Sequence, residues 1–330
     1  MSTSSPTPEP EVRAANPVGG TAVVVDTPGA GAAKPAKEPR KQKTAAGNAA
    51  RAVSSPWASV LAIVIAGLWT LPTFGLFVTS FRSQLDINRT GWWTSLTNPG
   101  GYNVENYTEA LTGGDVALGQ YFINSTVITI PAVLLPLLLA SLAAYAFAWM
   151  DFPLKNALFV GVFALQIIPL QVALLPLLQF YTNGLGLKSS YWTVWISHTI
   201  FALPLAIFLI HNFMKEIPGE LIEAARVDGA GHVRIFFRIM LPVMTPALAS
   251  FGIFQFLWVW NDLLVSLVFL GGTPDVAPLT VRVAELSGTR GNAWHILSAG
   301  AFISMIVPVA VFLGLQRYFV RGLLAGGLKG

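Results

Sequence analysis

The sequence predicts an all-α integral membrane fold with six transmembrane helices. Three observations predict it: overall apolarity, six apolar runs of spanning length, and a lopsided placement of basic residues. Of 330 residues, 54% are hydrophobic and only 11% are charged, with a mean hydropathy of +0.61. Soluble domains carry about 25% charged residues, so this chain calls for lipid as its solvent.

Taken in order, residues 1–56 are rich in Ala, Pro, Gly, Ser and Thr, with Lys34, Lys37, Arg40, Lys41 and Lys43 near the end. Such a segment buries too little apolar surface to offset the entropy of ordering, and reads as a disordered cytoplasmic N-terminal tail. Six apolar stretches follow within a transmembrane domain at 57–330: Trp57 to Phe81, Phe122 to Met150, Ala157 to Tyr181, Tyr191 to Met214, Met244 to Leu270 and Trp294 to Leu315. Each suits the roughly 20 residues that a helix needs to cross hydrocarbon. Pro72, Pro131, Pro136, Pro169, Pro176, Pro204 and Pro308 fall inside them. Each removes an amide donor, so bent helices with freed carbonyls are expected. Ala140, Ala143, Ala144 and Ala148 offer a small-residue face for close helix contact.

An even number of spans puts both termini on one side. With that side as the cytoplasm, only Arg82, Arg89, Lys188, Arg282 and Arg290 of the 20 Lys and Arg lie outside. The positive-inside rule therefore places both ends in the cytoplasm. The pI of 9.4 follows from this membrane bias rather than from one basic face, so no nucleic-acid partner is implied. The chain has no cysteine and only four His, with no zinc-type spacing, so no metal site and no catalytic nucleophile–base pair is expected.

Between the fourth and fifth spans, residues 215–242 do not read as a plain connector. Pro218 and Glu220 suit a helix start, and Asp228-Gly229 suits a left-handed stop. A second short helix is expected from about His232 to Met240, ended by Pro242. Ala224-Ala225 predicts a flat surface that another protein can approach closely, with Glu223 and Arg226 as polar anchors.

The pattern Glu223-Ala224-Ala225, three residues, Gly229, nine residues, Ile239, one residue, Leu241-Pro242 closely resembles the EAA loop of ABC importer permeases. Asp228 lies within it. The resemblance implies a six-helix permease bundle with a cytoplasmic coupling helix that docks into a separate ATPase. Trp260-Asn261-Asp262, Pro278-Leu279-Thr280 and the ending from Gln316 to Gly330 resemble the MalG type of carbohydrate permease, over roughly 57–330. The C-terminal tail at 316–330, with Gln316, Arg317, Arg321, Gly327 and Lys329, is expected to contact either the ATPase or anionic lipid, the family match favouring the ATPase. Gly231 stands where the family often has serine, which implies a looser turn.

No phosphate-binding Gly-x-x-x-x-Gly-Lys-Ser/Thr loop occurs, so this chain is expected to bind no cofactor and to be non-catalytic, ATP being used by a partner. The resemblance implies that partner as an ATPase dimer, with a second, MalF-like permease and an extracytoplasmic solute-binding protein, in a bacterial or archaeal cell membrane. The implied cargo is a sugar, an oligosaccharide first.

Polar residues inside apolar runs are costly and invite a functional reading. Asn261, Asp262, Gln166, Gln171, Asn124 and His198 are the candidates for a cargo path, and packing by interhelical hydrogen bonds is the alternative for each. Three other functions compete, of which an intramembrane enzyme lacks a nucleophile–base pair or metal cluster at one depth. An ion-coupled secondary transporter predicts intramembrane carboxylate pairs and has no use for a coupling loop. An ABC permease for a non-sugar solute differs only in what the path recognises.

Overall fold

The computed structural model of the protein describes residues 56–97, 100–113, 117–288 and 293–327, the side chains of 288 and 317–327 excepted. The predicted N-terminal tail falls outside the described residues but for Pro56, as does Lys329. The chain divides after Leu61 into two units. Of the first only residues 56–61 are described, the opening turns of one helix. The second unit, Ala62–Gly330, holds every packing contact and site described below.

Among the described residues every regular element is helical. In order these are α1 (Pro56–Ser80), α2 (Gln84–Arg89), α3 (Thr94–Thr97), α4 (Glu105–Thr112), α5 (Gly119–Trp149), α6 (Lys155–Ala164), α7 (Leu170–Gln179), α8 (Tyr191–Lys215), α9 (Gly219–Val227), α10 (His232–Ile235), α11 (Leu241–Val243), α12 (Thr245–Trp260), α13 (Leu264–Leu270), α14 (Leu279–Gly288) and α15 (Trp294–Gly327). A 3-10 turn, Leu165–Ile167, extends α6, and π turns extend α7 (Phe180–Gly184) and join α10 to α11 (Phe236–Met240).

Four helices are long and apolar enough to cross a membrane: α1, α5, α8 and the Trp294–Gln316 part of α15. Two bent pairs bring the number to six. The third predicted span is therefore not one helix. Lys155–Ile167 and Leu170–Gly184 meet at 97°, because Pro169 has no N–H to continue the ladder and forces Ile168 into the extended region (φ −71, ψ 119). The fifth is also reshaped: it starts at a 73° bend from His232–Val243, at Met244 as its predicted boundary requires, but the run to Leu270 is interrupted between α12 and α13. Pro72, Pro131, Pro136, Pro176, Pro204 and Pro308 all stay inside helices, where local adjustment of the ladder tolerates the missing bond.

The most extensive helix pairing is α5 against α8. Ala140 and Ala144 on α5, fully buried, meet Ala202 and Ala206 on α8 in one apolar core, which also takes in Ile210, Met214, Phe236, Met240 and Phe251. Small side chains let the two backbones approach closely, so packing is driven by contact rather than by polar groups. A second core joins Ile128, Leu174, Tyr181, Val194, Val259 and Phe269, and a third joins Leu118, Tyr121, Leu279 and Ile296.

Candidate coupling segment and membrane-embedded polar sites

The segment after α8 is a helix, a tight turn and a second helix. Pro218 caps α9 in the extended region, and Glu220 lies in its first turn, where the helix dipole favours an anion. Gly229 ends it with φ +77. The N–H of Ala230 donates to the Ala225 carbonyl at 2.9 Å and that of Gly229 to the Arg226 carbonyl at 3.0 Å, the paired bonds of a Schellman stop. Backbone alone closes this turn, so no side chain is spent on it.

One face of α9 is fixed to the bundle. Ile222 and Ala225 are buried in the core shared with Met214, Ile235 and Phe236, and covering Ile222 contributes about 1.5–3 kcal/mol. Glu220, Glu223, Ala224, Val227 and Asp228 remain exposed. The expectation of a flat Ala-Ala surface is thus corrected: at helical spacing only Ala224 faces out, while Ala225 is a packing residue.

The turn is also tied to α5. Tyr145 Oη lies 3.0 Å from His232 Nδ1, its ring meets Phe236 edge-on at 5.4 Å, and Arg226 Nη2 donates to the Trp149 carbonyl at 3.4 Å. Tyr145 and Trp149 were not singled out from sequence, although a tyrosine in an alanine-rich helix end is a visible signal. Pro242 does not end the second helix as expected. The π turn before it lets Leu241 N–H donate to the Phe236 carbonyl, which adjusts the ladder just where Pro242 has no donor, and the helix continues to Val243. Ile239 and Leu241 pack at the edge of the same core.

The polar candidates in the spans divide into committed and open residues. Asp262 sits in the break between α12 and α13. Its carboxylate accepts from Val265 N–H at 3.1 Å, Ser266 N–H at 2.8 Å and Ser266 Oγ at 2.8 Å, so it caps α13. His198 Nε2 on α8 lies 3.6 Å from Asp262 Oδ2, and neither ring nitrogen of the buried His198 has a hydrogen-bond partner. Thr280 Oγ1 donates to the Asp262 carbonyl and Leu279 N–H to Ser125 Oγ, so the Trp260-Asn261-Asp262 and Pro278-Leu279-Thr280 motifs meet in space. Trp260 is buried, with Nε1 donating to the Ser304 carbonyl at 3.0 Å.

Asn124 is corrected to a structural role. Its amide donates to the carbonyls of Pro274 and Ala277 at 2.9 Å each and accepts from Gln120 Nε2 and Tyr191 Oη at 3.0 Å. All four of its hydrogen-bonding positions are taken. Asn261 is exposed, its amide donating to the Leu257 carbonyl. Gln166 and Gln171 are exposed on either side of the Pro169 break, and of the two only Gln166 lines the neighbouring cavity. Gln316 is exposed on α15; α15 continues through Gly327, and the side chains of Arg317 and Arg321 lie outside the described residues.

Residues 132–324 match the family model described as "Binding-protein-dependent transport system inner membrane component". The chain belongs to this family. The permease is 51% identical to the osmoprotective compounds uptake permease protein GgtD of Synechocystis sp., over 81% of this chain and 90% of that one. It is 50% identical to the alpha-glucoside transport system permease protein AglG of Rhizobium meliloti, over 71% of this chain but 62% of that one. In fold it is similar to a chain of a bacterial ABC transporter involved in import of the acidic polysaccharide alginate, with a TM-score of 0.62 and 20% identity over 80% of this chain and 98% of that one. Family and helices together make the permease a multi-pass membrane subunit of an ABC importer.

Proposed function

We infer that the permease forms half of the path by which an ABC importer takes up a small neutral glucoside, and that α9 is the element through which ATP hydrolysis in a partner is transmitted. The observation that carries the coupling reading is α9 itself: a short helix buried on Ile222 and Ala225 yet presenting Glu220, Glu223, Ala224 and Val227 outward. Its inner face packs on residues of α5 and α8, so a push on its outer face is delivered to the spans. An ATPase dimer, a second permease and an extracytoplasmic solute-binding protein complete the transporter in this reading, with both termini in the cytoplasm and the tail at 316–330 beside the ATPase.

The glucoside assignment draws on the relatives at about half identity, one of them named for alpha-glucosides. The name of the other, osmoprotective compounds, favours a second reading in which the cargo is a compatible solute outside the sugars. Uptake of radiolabelled maltose, trehalose, sucrose and glycine betaine by cells with and without this chain separates the two. Chain-dependent uptake of at least one glucoside is expected. Uptake of betaine alone replaces the sugar by a non-sugar solute.

A further inference from the structure

We propose that the cavity at the break of the third span is a cargo subsite for one pyranose ring, which stacks on Trp258 and is hydrogen-bonded by Gln166 and the Ile200 carbonyl. This deepens the glucoside reading and rests on it. The cavity has a volume of about 410 Å³, within the roughly 300–1,000 Å³ of small-molecule sites. Three elements build it: Gln166 and Pro169 at the break, Ile200, Phe201 and Pro204 on α8, and Trp258 on α12.

Its polar groups arise from the two prolines. Pro204 has no N–H, so the Ile200 carbonyl one turn earlier lacks its helical donor. Pro169 leaves a stretch of non-helical, exposed backbone within an apolar span. Non-helical backbone at membrane depth is tolerated only where it meets protein or a water-filled passage, since an unsatisfied peptide group in lipid costs several kcal/mol. This side of the permease therefore meets the path or a partner chain and not the lipid alone.

The lining fits a sugar ring. A pyranose has apolar C–H faces and a rim of hydroxyls that each donate and accept. Trp258 and Phe201 offer apolar aromatic surface, Gln166 offers both a donor and an acceptor, and the Ile200 carbonyl accepts. Among the described residues no charged side chain lines the cavity, so a carboxylate or ammonium would enter unpaired, at high cost. Trp258 is also held in place: the His198 ring meets it edge-on, with centroids 6.0 Å apart and planes at 85°, and His198 lies against Asp262. His198 and Asp262 thereby become positioning residues for the ring that cargo would touch.

The test is equilibrium binding of labelled maltose and trehalose to the purified complex of both permeases and the ATPase, without the solute-binding protein, alongside uptake in cells. Trp258→Ala and Gln166→Leu are each expected to weaken binding about five- to tenfold, while Trp258→Phe keeps most of it. Should Trp258→Ala fail to assemble with the ATPase, Gln166→Leu decides, being close in size at an exposed position. Unchanged binding by assembled Gln166→Leu and Trp258→Ala overturns the subsite. So does a wild-type complex that binds neither sugar although cells take them up, an outcome that leaves the glucoside reading standing. Absence of chain-dependent uptake of any glucoside removes both.

Discussion

The turn after α9 and the break before α13 solve the same problem in opposite ways. Both stop one helix and start another within a few residues. At the exposed turn, Gly229 and two backbone bonds close α9, and neighbouring side chains such as Glu223 stay free in solvent. At the buried break, the Asp262 carboxylate satisfies the first donors of α13 and is used up in doing so. Water can serve orphan groups in the first place and cannot in the second. A joint sealed by backbone is available to a partner, whereas one sealed by a carboxylate serves the fold.

The largest effect should come from the buried joint. Asp262→Ala leaves the N–H groups of Val265 and Ser266 without an acceptor in a buried site, a loss of about 2–3 kcal/mol. Thermal unfolding of the purified complex should fall clearly below wild type, with Asp262→Asn intermediate. An unchanged midpoint for Asp262→Ala would dissolve the contrast between the joints.

At the exposed joint the effect should be on transport rather than on stability of the bundle. Gly229→Val places a β-branched residue at φ +77, costing about 1–2 kcal/mol locally and turning α10 out of line. A Cβ at Gly229 meets no atom within 4 Å, so the fault is backbone strain alone and insertion into the membrane should be normal. Glu223→Lys reverses an exposed charge and should release the ATPase from the purified complex more readily without moving the unfolding midpoint. Normal uptake by both variants would show that α9 does not couple.

The smallest effect should be a gain. Gly231 caps α10 with no side-chain bond (φ −75, ψ 168), and a Cβ there meets nothing within 4 Å. Gly231→Ser supplies the missing cap and should stabilise the second helix by a few tenths of a kcal/mol, read as slower amide exchange over residues 232–235.

The helical class, the six apolar stretches and the helix-turn-helix at 215–242 were legible in the sequence because each is written locally, in hydropathy, in Pro218 and in Asp228-Gly229. The residue pattern around Glu223 likewise carried the family. Span shape was not legible. Pro169 breaks its helix while Pro72, Pro131, Pro136, Pro176, Pro204 and Pro308 do not, and the residue type alone does not separate the two outcomes. Nor was the orientation of side chains: Ala224 and Ala225 are identical in sequence terms, and only docking of α9 on the bundle makes one a surface and the other a core residue. Asn124 and Asp262 looked alike as polar groups in apolar runs, and nothing in the sequence singled out Trp258. Tertiary contacts alone decided that Asn124 has all its hydrogen bonds filled by residues up to 153 positions away, and that Trp258 stands beside a cavity. Local free energies set which helices form, but the partners of a buried polar group are chosen by which helices meet.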